Sequence, residues 1–146
     1  MNPATHFDKF LSEHNEFVHK LALDLKHPEN ENQVIHVLKA VLHTLRDRLT
    51  IQQSFHVLAQ LPMFLKFYYI DGWKYHERPV KFDSIEAFST AVKQHQYDLG
   101  ERNFNWEKST SEIVNIVLAS LKRYLDEGTM QNIFAELPPS LHSLFI

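Results

Sequence analysis

The chain has 146 residues and no cysteine, and its 15 Lys and Arg against 18 Asp and Glu leave a formal charge of −3 with ten histidines taken as neutral. That length suits one domain, residues 1–146, able to bury roughly 70% of its unfolded surface, and the lack of cysteine excludes disulfides, thiolate metal sites and cysteine nucleophiles. A slightly acidic chain has no overall field to hold a polyanion, so nucleic acid is not an expected partner.

The N-terminal stretch Met1 to Asp8 lacks the cationic start and apolar core of a signal peptide. No apolar run approaches the ~18 residues that span a bilayer, so the expectation is a cytoplasmic protein without membrane contact. Three glycines and six prolines, mostly between periodic stretches, point to helices rather than turn-rich β structure.

Thr5 and Asp8 have cap spacing for a first helix, whose inward stripe reads Phe7, Phe10, Leu11, Phe17, Val18, Leu21 and Leu25. Beyond Pro28 a second long helix spans about Asn30 to Leu49, with Val34, Leu38, Val41, Leu42, Leu45 and Leu49 on one face. Thr50 and Gln53 have capping-box spacing for a short helix that breaks at Leu61-Pro62, because proline disfavours helical backbone in the residue before it. Pro62 then opens a second short helix, which Gly72 ends in a left-handed cap.

Residues 71–83 form a linker with several large apolar residues, so it is expected to pack rather than swing. Asp83-Ser84-Ile85-Glu86 caps the next helix, which ends at Gly100. A long helix over about Trp106 to Leu125 and a short one from Asp126 to Glu136 follow, and Leu137-Pro138-Pro139 leads into a last turn or two.

This order repeats. Laying residues 41–70 on 117–146, an offset of 76 without a gap, makes nine of thirty pairs identical, among them Val41/Val117, Leu45/Leu121, Leu61/Leu137 and Pro62/Pro138. The first helices align only with an offset of 78, Phe10 over Phe88 and Leu21 over Leu99. The expected fold is therefore all-α: eight helices as two four-helix repeats, units 5–70 and 84–146, with pseudo-twofold symmetry in one domain.

Val41-Leu42 through Leu45-Arg46-Asp47-Arg48-Leu49, then Gln60-Leu61-Pro62 and Gly72-Trp73, form a pattern that resembles the bacterial domain-of-unknown-function 2267 family (DUF2267). The resemblance covers nearly the whole chain. It implies a small, all-helical, cytosolic bacterial protein, and it brings no catalytic or binding residue with it.

No residue set reads as an active site, so no catalytic residue, metal ligand or cofactor is expected. Glu16-x-x-His19 has the spacing of di-iron bundles, but it occurs once and faces away from the apolar stripe. His36, His43 and Asp47 line one side of the second helix, which is read as its solvent side. Arg46, Arg48, Lys122 and Arg123 stand toward the ends of the two long helices, where cations offset the macrodipole.

His14 falls inside the apolar stripe and His95 at the edge of the matching one, so this pair is the candidate pocket; the plainer reading is two satisfied boundary histidines. Tyr68, Tyr69, Trp73 and Tyr75 are a candidate interaction patch, with a packed seam as the alternative. The first functional expectation is a non-catalytic protein-interaction or scaffold module, with protein or self-association as its partner. The alternative is small-molecule or metal binding through the His14 and His95 pocket. A pH response driven by the histidines ranks last.

Overall fold

The computed structural model describes residues 3–74, 79–101 and 105–137, which form seven α-helices and no strand. The first half folds as α1 (Pro3–Asp24), α2 (Glu31–Arg48), α3 (Ile51–Gln60) and α4 (Met63–Ile70), and the second as α5 (Ile85–Asp98), α6 (Thr110–Leu121) and α7 (Glu127–Glu136). The chain is all-α as expected. The eighth expected helix falls on residues 138–146, outside the described residues.

Local chemistry sets most boundaries. Thr50 and Gln53 form the reciprocal capping box at α3, and Ser84 and Asp126 accept from the third residue of α5 and α7. Several boundaries differ from expectation: α1 already begins at Pro3, so Thr5 lies inside it and does not cap it, and α6 stops at Leu121 instead of Leu125. α6 starts at Thr110 instead of Trp106 because Ser109 supplies its cap, accepting from the Glu112 amide. α1 ends where Lys26 takes a left-handed φ of 55°, which lets the His27 amide reach back to the Ala22 carbonyl, a turn usually given to glycine.

α2 is the centre of the fold. It packs against α1, α4, α5 and α6, and α1 also packs against α6 and α4, while α5 packs against α6. Val34, Val37, Leu38, Ala40, Val41, Leu42 and Leu45 are all fully buried, and so is Thr44, whose hydroxyl donates to the Ala40 carbonyl. A helix surrounded in this way has no solvent side along its middle.

The first turns of α1 behave in the opposite way. Phe7 is 63% and Leu11 44% exposed, because a helix of 22 residues, roughly 33 Å long, overhangs the core that Phe17, Val18 and Leu21 enter. The expected inward stripe therefore holds in part at Phe10 and fully only from Phe17 onward.

α3 and α7 lie together. Gln53 Nε2 donates to Glu136 Oε1 at 3.0 Å, Gln60 Nε2 donates to Thr129 Oγ1 at 2.5 Å, and Arg48 pairs with Glu136 at 3.4 Å. The linker packs as expected: Trp73 meets the edge of Tyr69 at 5.8 Å, Phe82 is buried against Phe88, and the Val80 amide donates to the Asp47 carbonyl.

Candidate functional site

α2 and α5 leave a cleft of about 340 Å³ where they meet the end of α4, lined by His43, Arg46 and Asp47 from α2 and by His95, Asp98 and Leu99 from α5. Asp71 and Lys74 complete its rim. Because α2 is enclosed, the side read as solvated turns inward here, and His43 is only 5% exposed.

The tautomer of His43 follows from its partner. Its Nε2 lies 2.8 Å from the Tyr68 carbonyl, which can only accept, so Nε2 carries the proton. Burial, and then the neighbouring Arg46 guanidinium, push the imidazole down to a pKa of about 4, against the opposing pull of the Tyr68 carbonyl. At neutral pH His43 is uncharged, and its Nδ1 is a bare acceptor.

His95 meets the His43 ring edge to face at 5.9 Å, and its Nε2 donates to Asp47 Oδ2 at 2.8 Å. A carboxylate on one ring nitrogen orients the imidazole and leaves Nδ1 for other business. Asp71 is held by Lys39 at 2.6 Å, and this hydrogen bond keeps its carboxyl below the usual range.

Arg46 fixes the floor. Its guanidinium donates to the carbonyls of Tyr69, Asp71 and Gly72 at the end of α4, which satisfies acceptors the helix leaves open. It is 6% exposed, burial lowers its pKa, and its Nε is buried with no hydrogen-bond partner among the described residues.

Residues 14–144 match the model of the family described as "Uncharacterized conserved protein (DUF2267)". The chain belongs to that family. The match takes in α1 from His14 onward and each helix from α2 to α7, so His14, His43 and His95 all fall within it. No curated protein matches the chain.

In this DUF2267 chain the two histidines expected to share a pocket stand apart. His14 binds the Tyr68 hydroxyl at 2.6 Å and Asn15 Oδ1 at 2.9 Å, and it does not line the cleft. Tyr68 separates the two sites, with its hydroxyl on His14 and its carbonyl on His43. Only His95 of the expected pair belongs to the cleft; its companion there is His43.

The described residues of the expected aromatic patch are buried to different depths. Tyr69 is fully buried, with its hydroxyl bonded to Ser54 at 2.7 Å, while Tyr68 and Trp73 are half-buried and Tyr75 lies outside the described residues. Burial of Tyr69 raises the pKa of its phenol. Exposed apolar side chains gather instead at Met63, Phe67 and Ile70 on α4, beside Leu58 of α3.

Glu16 and His19 face water as expected, with His19 turned to Glu31 at 3.3 Å. Sequence reading missed a second polar centre: buried Glu101 accepts from Gln33, Gln96 and Trp106, and buried His27 stacks on the Trp106 indole at 4.1 Å. Its parts come from separate helices and loops, so no local spacing announces it. Among the described residues no group of three His, Asp or Glu side chains could hold a metal ion, and no helix is long and apolar enough to cross a membrane.

Proposed function

We propose that this chain is a non-catalytic binding domain of the bacterial cytoplasm whose small-molecule site is the cleft between α2 and α5. The observation that carries this reading is His43, buried and neutral, with an unprotonated nitrogen beside His95 in a preformed cavity. Asp47, Asp71 and Asp98 line it with Arg46 and Lys74, and Asp71 is already paired with Lys39. The bare Nδ1 of His43 and the Asp98 carboxylate favour a hydrogen-bond donor of positive charge, such as a small protonated amine. None of the residues lining it is a serine, threonine or cysteine, so the lining offers no hydroxyl or thiol nucleophile.

An NMR titration with a panel of small amines and amino alcohols tests the reading. Saturable shifts at His43, His95 and Leu99, weakened by Asp98→Asn, are expected; amines that leave these resonances unmoved would sink it.

The apolar side chains Met63, Phe67 and Ile70 favour a second reading, protein interaction or self-association through α4. Phe67→Glu is then expected to abolish a dimer or a captured partner in sedimentation analysis, and a monomer unchanged by that substitution counts against it.

Two repeat units underlie both readings. Under the offset of 76, Gln53 aligns with Thr129 and Gln60 with Glu136, so the Gln53–Glu136 and Gln60–Thr129 bonds exchange with one another. Such reciprocity is what a twofold contact requires.

A further inference from the structure

A second hollow, of about 400 Å³, lies between α1 and α6, with Phe17, Leu21, Ile116 and Ala119 as its apolar walls. Its polar rim carries Lys20 and Arg123 against one carboxylate, Asp24, which is already bonded to Lys20 at 3.1 Å. Arg123 makes no ion pair among the described residues. Its guanidinium donates to the Tyr124 hydroxyl and lies 5.3 Å over the Phe17 ring and 4.7 Å over that of Tyr124, so aromatic side chains hold it in place. Glu13 and Glu16 border Arg123 in an adjoining hollow without pairing with it.

Asn115 supplies an independent sign. It lines the groove, and its Oδ1 is buried with no hydrogen-bond partner among the described residues. Such an atom is destabilising unless something completes it.

The two hollows also invert one another's chemistry. Under the offsets that align the halves, Asp47 corresponds to Arg123, Asp98 to Lys20, His43 to Ala119 and His95 to Phe17. Where one hollow is polar and acidic, the other is apolar and basic.

We infer that the α1–α6 groove binds a small amphiphilic anion, a phosphate ester or carboxylate on an apolar body about the size of a benzene ring. The head sits between Arg123 and Lys20, the body lies against Phe17, Leu21 and Ile116, and Asn115 gains the partner it lacks. Both the head and the body are needed, since an exposed cation alone holds an anion only weakly.

Phenyl phosphate is the probe, with phenol and inorganic phosphate as its separated parts, titrated into the full chain by NMR. Phenyl phosphate is expected to bind about tenfold or more tighter than either part, a difference of ~1.4 kcal/mol, with shifts at Phe17, Leu21, Ile116 and Ala119. Arg123→Gln is expected to weaken it by a similar factor, Ala119→Leu to block it by filling the groove, and His95→Gln to leave it unchanged. A melting temperature measured on each variant separates lost binding from lost folding. Inorganic phosphate binding as well as the ester, shifts confined to the α2–α5 cleft, or no saturation at millimolar ester would each overturn the inference. Because the amine titration reads a different cleft, either proposal can fail without the other.

Discussion

His43 shows how burial turns an ordinary side chain into a pH-sensitive part. Unfolded, it takes a proton near pH 6.5, whereas folded it resists until about 4. Between those values the unfolded chain binds more protons, so its contribution is intact above pH 6.5 and is lost as pH falls toward 4, by at most about 3 kcal/mol. Urea unfolding at pH 7 and 4.5 checks this: His43→Gln is expected to flatten the difference that the unaltered chain shows. Arg46 makes a separate demand, since it holds three carbonyls at the end of α4. Arg46→Met is expected to cost about 3 kcal/mol and to loosen the start of the linker, read as faster amide exchange from Asp71 to Trp73. The Ser54–Tyr69 hydroxyl pair is fully buried. Tyr69→Phe alone strands one hydroxyl at a cost of ~1–2 kcal/mol, and adding Ser54→Ala is expected to recover part of the loss; additive losses in the double variant would refute the coupling.

At the scale of elements, the capping signals at Thr50, Ser84 and Asp126 were legible because each acts within four residues of itself. The end of α1 was not legible, since a lysine carries out the turn that glycine usually makes. Lys26→Gly is therefore expected to stabilise the chain by ~1 kcal/mol, because the side chain is exposed and only the cost of a left-handed lysine is removed. A melting temperature that does not rise would show that the turn carries no strain. The start of α6 was misplaced for a related reason. Trp106 has an apolar side chain that suits a helix face, yet it leaves the helix to stack on His27 and to donate to Glu101.

The whole molecule is organised around α2, which takes neighbours from both halves of the chain, α1 and α4 from one and α5 and α6 from the other. Residues 1–74 alone are expected to lack a cooperative thermal transition, because α2 would expose the surfaces that α5 and α6 cover; a folded half by circular dichroism and NMR would contradict this. Neither His43 nor Asp47 could be assigned to a cleft from the spacing of α2, since their place depends on α5, which begins at Ile85. His95 could be picked out as a boundary histidine, but its partner could not. His14 was legible as inward-facing, yet the hydroxyl of Tyr68 closes it off from the cleft. By itself the sequence determined the all-α class, five of the seven helix starts to within a residue or two and the core of α2, because periodicity and capping are local properties of the chain. Only the tertiary structure decided which polar groups meet, because contact between α2 and α5 depends on how whole helices pack, and packing buries a residue without regard to its position in the local pattern.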